Sequence, residues 1–165
     1  MHRRALLAAS GATIGLAMTG VCWSGTAKAA PDPIRYRVVH SDAAWRRILS
    51  PASYQILRQA GTEPPFSSPL LNEHRAGEFN CAGCALPLYA STTKYDSFTG
   101  WPSFWAHLPN ATLTSRDNSF GMQRIEVHCS QCGGHLGHVF DDGPQPTGLR
   151  YCMNGLALTF TPTRA

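Results

Sequence analysis

The sequence predicts a mainly β domain with antiparallel strands, preceded by short helices on its N-terminal side. Three observations carry this reading: apolar residues fall at helical spacing only before Gly61, apolar runs after Phe79 are short and broken by turns, and two paired cysteine motifs stand 44 residues apart. Ser41-Asp42 offers an N-cap before Trp45, Ile48 and Leu49, and Pro51 ends or restarts that element. Tyr54, Ile56, Leu57 and Arg58 suggest a second helix, with Gly61 as its stop and Pro64-Pro65 blocking continuation. These helices read as a packing collar. The strands then follow as Leu86-Pro87-Leu88-Tyr89, Ile125-Glu126-Val127 and Leu156-Ala157-Leu158-Thr159-Phe160. Between them, Ser91 to Asn118 is polar yet holds Trp101, Phe104 and Trp105, too aromatic for a linker; it reads as an ordered loop in which Phe104 and Trp105 are core.

The first 29 of the 165 residues read as an export signal: Arg3-Arg4, an apolar run from Ala5 to Val21, then Ala27-Lys28-Ala29 with cleavage expected after Ala29. The run is short and interrupted by Ser10, Gly11, Thr13 and Gly15, so no stable membrane span is expected after cleavage. Residues 30–40 form a Pro-containing lead-in, and 41–165 a single domain. The formal charge of +4 owes much to the signal, since removing Arg3, Arg4 and Lys28 leaves 11 basic against 10 acidic residues. No nucleic-acid bias survives that balance. An exported protein in a bacterium would reside in the periplasm. Arg3-Arg4 resembles a minimal twin-arginine signal, and the choice between that route and the general secretory one stays open.

Cys81-Ala82-Gly83-Cys84 and Cys129-Ser130-Gln131-Cys132 form two CxxC knuckles of the kind that closes a tetrahedral Cys₄ site around Zn²⁺. Gly83 permits a tight turn in the first, and Gly133-Gly134 let the backbone curl after the second. Disulfides or a redox pair are the competing readings, and duplication favours the metal. Four protein thiolates leave no open coordination position, so the zinc is structural and the chemistry lies elsewhere.

With Cys22 expected to leave with the signal, Cys152 remains outside this set. If Arg150-Tyr151-Cys152-Met153-Asn154 is extended, Arg150, Cys152 and Asn154 share one face while Leu149, Tyr151 and Met153 share the other. Upstream, His135 and His138 follow the second knuckle, and Asp141-Asp142-Gly143-Pro144 supplies a turn that can return the chain as a neighbouring strand, bringing His138 toward Cys152. Trp101, between Gly100 and Pro102, can wall a small apolar pocket suited to a methylated sulfur.

Together these residues resemble the type B methionine sulfoxide reductases. The resemblance rests on Trp45, the run Gly61 to Ser67, both knuckles, Lys94-Tyr95-Asp96-Ser97 leading into Gly100-Trp101-Pro102-Ser103-Phe104, His135 to Phe140, and Thr147 to Asn154. It implies two antiparallel sheets with a zinc staple and peripheral helices, and reduction of the R epimer of methionine sulfoxide in proteins or peptides. It also implies Cys152 as nucleophile, His138 as proton donor, Asn154 orienting polar groups, His135 supporting the substrate oxygen, Arg150 favouring the thiolate, and Trp101 holding the terminal methyl. Many relatives carry a resolving cysteine where this chain has Thr99, so the Cys152 sulfenic acid is expected to need an external thiol, from a thioredoxin-like protein or a small molecule. The rival reading is a zinc-ribbon protein-binding module in which Cys152 is merely buried.

Overall fold

The computed structural model describes residues 34–164; the expected signal, its cleavage site, Cys22 and the start of the lead-in lie outside them. Helix α1 (Asp42–Ile48) begins where Ser41 accepts a hydrogen bond from the Ala44 amide, and α2 (Pro51–Gln59) begins likewise at Ser50, with Pro51 in its first turn. Proline therefore starts the second helix. The left-handed residue that stops α2 is Ala60, at φ 51°, and not Gly61. Trp45, Tyr54, Ile56 and Leu57 are buried as the helical spacing implies, but Ile48 is 56% exposed because it falls on the outer side of α1.

Nine strands follow among the described residues: β1 (Gly77–Cys81), β2 (Pro87–Ala90), β3 (Lys94–Tyr95), β4 (Ser103–Phe104), β5 (Thr112–Asp117), β6 (Arg124–Cys129), β7 (His135–Phe140), β8 (Arg150–Met153) and β9 (Leu158–Pro162). They form a three-stranded sheet, β2-β1-β9, and a six-stranded sheet, β3-β4-β8-β7-β6-β5. Every pairing is antiparallel. The expected mainly β fold of two antiparallel sheets is thus the fold observed. The stretch Ser91 to Asn118 is more regular than expected, for it contains β3, β4 and β5; their brevity and polar outer faces hide the alternation that marks a strand.

The core lies where the two sheets meet. Phe79 of β1 and Tyr89 of β2 pack on Phe104 of β4, with ring centroids 5.0 and 4.3 Å apart, and the Tyr89 hydroxyl donates to Met153 Sδ of β8 at 3.0 Å. All four side chains are fully buried. Large aromatic rings dominate the apolar area such a small core can remove from water. Trp105 is not part of it: the ring is only half-buried, since strand alternation turns it away from the face that Phe104 occupies. Among the described residues, no helix is long and apolar enough to cross a membrane.

Candidate active site

The metal knuckles sit at strand ends. Cys81 closes β1 in one sheet and Cys129 closes β6 in the other, so the four sulfurs tie the two sheets together. Sγ of Cys81 lies 3.7 Å from that of Cys132, and Sγ of Cys84 3.5 Å from that of Cys129; all four lie within 4.8 Å of one another. Four sulfurs at about 2.3 Å from one ion stand about 3.8 Å apart, whereas a disulfide needs about 2.05 Å. The donor set therefore fits a single thiophilic metal. Each knuckle closes on a left-handed residue one position past its second cysteine: Ala85 (φ 59°) donates to the Cys81 carbonyl, and Gly133 (φ 69°) to that of Cys129. In the first knuckle this role falls to Ala85 and not to Gly83. The collar braces the metal loops, with Trp45 beside Gly83, Leu57 against Gly134, and the Arg58 guanidinium donating to the Cys132 carbonyl at 3.0 Å.

Cys152 occupies the centre of the six-stranded sheet. His138 of β7 stands directly opposite it on one side and Ser103 of β4 on the other. Directly paired residues share a face, so the thiol, the imidazole and the Ser103 hydroxyl emerge together, while Tyr151 and Met153 turn into the core. Gly137 makes the close pairing of β7 with β8 possible, because a Cβ there would overlap the Cys152 carbonyl oxygen. A cavity of about 120 Å³ opens above the thiol, with Thr62, Trp101, His138 and Asn154 among its walls. The expected approach of His138 to Cys152, and the position of Trp101 as a wall, are both observed.

The remaining site residues take more specific places. Asn154 is locked to backbone: its Oδ1 accepts from the Glu63 amide at 3.0 Å and its Nδ2 donates to the Leu136 carbonyl at 3.1 Å. It shapes the cavity without bonding to Cys152 or His138. Arg150 is held by Asp142 through two bonds of 2.8 Å and lies over the Phe140 ring. His135 sits beside His138, ring centroids 5.4 Å apart, with Nδ1 2.7 Å from Glu126 Oε1; its buried Nε2 has no partner among the described residues.

Burial pushes the Cys152 thiol above the ordinary cysteine range, and the hydrogen bond from Thr99 and the charge of Arg150 only partly oppose it. The expected help from Arg150 is therefore present but outweighed. Burial likewise lowers His138, against the pull of Asp117. At rest the proton belongs on sulfur, with the imidazole neutral.

Several contributors escaped the sequence reading. Glu63 is buried and accepts from the Gly155 and Leu156 amides, while its carbonyl accepts from Trp101 Nε1 at 3.1 Å, so one residue fixes both the turn after Cys152 and the tryptophan wall. Thr99 Oγ1 lies 3.9 Å from Cys152 Sγ and leads through Ser97 to Ser103 by bonds of 2.8 and 2.7 Å. Asp117 contacts His138 across the sheet. The only sequence signals were the Glu63 position within the Gly61 to Ser67 run and the hydroxyls clustered around Thr99; for Asp117 there was none, because its partner is 21 residues away.

A closed thiolate metal site, together with a cavity that gathers a half-buried cysteine, a histidine and an aromatic wall, defines a thiol-based enzyme stapled by a metal. Residues 49–162 match the SelR domain family model. A peptide methionine sulfoxide reductase MsrB of Agrobacterium fabrum is 51% identical over 127 residues, covering 76% of this chain and 94% of that protein. One from Pseudomonas putida is 54% identical over 119 residues, covering 72% and 90%, and one from Methanosarcina mazei 48% over 126 residues, covering 76% and 90%. The chain belongs to the type B methionine sulfoxide reductase family.

Proposed function

We propose that this protein reduces the R epimer of methionine sulfoxide in oxidised proteins or peptides, with Cys152 as the nucleophile. The observation that carries the assignment is the cavity in which Cys152, His138 and Trp101 converge, reached from three separate segments of chain. Each sulfoxide epimer has its own reductase, because the oxygen, the methyl and the peptide stem must meet different walls. Here the methyl lies against Trp101 and the oxygen faces His138, with His135 beside the His138 ring rather than in the cavity wall. The Cys152 sulfur attacks the sulfoxide sulfur, the oxygen takes a proton, and methionine leaves as the thioether while Cys152 keeps the oxygen as sulfenic acid. An external thiol then attacks the sulfenic sulfur and releases water, and a second thiol frees Cys152 as it forms the outgoing disulfide. Thr99 at the position of the resolving cysteine supports this external route, since the other four cysteines of the described residues are all in the metal cluster.

The metal is zinc on the chemistry of four thiolates, held by Cys81, Cys84, Cys129 and Cys132 and structural in role. The family membership favours catalysis over the binding-module reading. Export to the periplasm rests on residues 1–29; changing Arg3 and Arg4 to lysine while tracking the protein separates the routes, because only the twin-arginine route requires both.

The deciding experiment offers each sulfoxide epimer of a short peptide with dithiothreitol. Reduction of R and not S, abolished in Cys152→Ser with metal content unchanged, supports the assignment. A folded, metal-loaded wild-type protein that turns over neither epimer would refute it.

A further inference from the structure

We propose that Asp117 is a positioning residue that holds Nε2–H of His138, so that Nδ1 is the atom exchanging a proton with Cys152 and the substrate oxygen. This deepens the reading of His138 given above and rests on it. Three strand pairings build the arrangement: Asp117 of β5 opposite Arg124 of β6, Glu126 of β6 opposite His138 of β7, and His138 opposite Cys152 of β8. Asp117 Oδ2 lies 2.8 Å from His138 Nε2 and accepts from the Arg124 guanidinium at 2.7 Å, while its Oδ1 accepts from the Ser119 amide at 2.9 Å.

The chemistry of the donors then assigns the tautomer. Hydrogen bonds from Ser119 and His138, with the charge of Arg124 nearby, hold the Asp117 carboxyl well below the usual carboxylate range. It is an anion at any working pH and can only accept. The bond to His138 must therefore be donated by Nε2, which leaves Nδ1 with its lone pair when the ring is neutral. A ring so held can take the Cys152 proton at Nδ1 and give it to the sulfoxide oxygen as sulfur attacks. The proton that began on the thiol ends on the sulfenic oxygen, and Nε2–H never leaves Asp117. A carboxylate that orients and supports an imidazole beside a nucleophile acts in the same way in other hydrolytic and thiol sites.

The charged groups facing His138 are Asp117 from β5, Arg124 and Glu126 from β6, His135 within β7, and Cys152 from β8. Glu126 is committed to His135, and Arg124 opposes protonation of the ring. Asp117 is thus the one carboxylate bonded to the imidazole among the described residues, and it offsets part of the burial that disfavours the imidazolium.

The test compares kcat/KM against pH for wild type, Asp117→Asn, Asp117→Glu and His138→Gln, together with long-range ¹H–¹⁵N spectra of the histidines in the resting wild-type enzyme. Asp117→Asn is expected to lose roughly 10- to 100-fold at neutral pH, and to move the acid limb to lower pH, because the ring must be neutral to take the Cys152 proton and removing the anion lowers the imidazolium pKa. Asp117→Glu should recover part of both. The spectra should show the His138 signal, assigned by its loss in His138→Gln, as the Nε2–H tautomer. An Nδ1–H tautomer in wild type overturns the proposal even if Asp117→Asn does not fold, and so does an Asp117→Asn enzyme with an unmoved acid limb. Full activity in His138→Gln would instead refute the role of the histidine itself.

Discussion

Among single residues, the decisive balance is at Cys152, where burial and electrostatic support oppose each other. The sulfur sits beside an arginine, yet that arginine is neutralised by Asp142 and the thiol stays protonated above its ordinary range. A protonated resting thiol resists indiscriminate oxidation and alkylation, since the thiolate is the reactive form. Iodoacetamide labelling of Cys152 should therefore rise with pH along a midpoint above that of free cysteine. Arg150→Ala removes a cation that lowers the pKa and frees Asp142, both in the direction of a higher value. Labelling at pH 7 should fall about three- to tenfold, one pKa unit being a tenfold change in thiolate. An unchanged rate would show that Arg150 serves only to hold the Asp142 turn. The facing of Cys152 and Arg150 was legible from alternation alone; the cancellation by Asp142 was not, because charge pairing depends on where the turn folds back.

Among elements, two devices hold the site, and each makes a separable prediction. The first is the close pairing of β7 with β8 at Gly137. Gly137→Ala would drive a methyl group into the Cys152 carbonyl and crowd Met153 Cα at 3.0 Å. The strands must separate, with a cost of about 3 kcal/mol, read as a Tm lower by roughly 10 °C together with loss of reductase activity. The second device is the metal cluster joining β1 to β6. Cys84→Ser removes one of four ligands from the least buried knuckle position. Because metal binding energy is folding energy here, metal content by mass spectrometry and Tm should fall together, the latter by more than about 10 °C. A variant that loses metal yet keeps its Tm would show that the aromatic core alone joins the sheets. The knuckles were readable because their spacing is local and repeated. Strands β3 to β5 were not, since two-residue strands carry no periodicity and the exposed middle of β5 is polar on both faces. The helix stop at Ala60 escaped for a related reason: the neighbouring Gly61 is the better left-handed residue by propensity, and tertiary packing placed the bend one residue earlier.

At the scale of the whole molecule, four of the five cysteines among the described residues gather in the metal cluster and Cys152 alone stands outside it. The hydroxyl of Thr99 already lies 3.9 Å from Cys152 Sγ, within the range from which a cysteine side chain could rotate to bond it, so geometry does not forbid an internal disulfide there; the residue type does. Wild type treated with one equivalent of substrate and no reductant should accumulate a Cys152 sulfenic acid that dimedone traps, with all metal retained. Thr99→Cys should give the same yield of methionine in the first turnover, but condense the sulfenic acid with the introduced thiol and release water. The dimedone adduct should then disappear, and peptide mass mapping should show a disulfide joining the substituted position to Cys152. Its reduction would have to begin by opening a disulfide, whereas in wild type the first external thiol would meet the sulfenic acid itself. Release of the metal during wild-type turnover, with Cys152 found bonded to a knuckle cysteine, would overturn this division of labour, because the staple would then be a consumable partner in the chemistry.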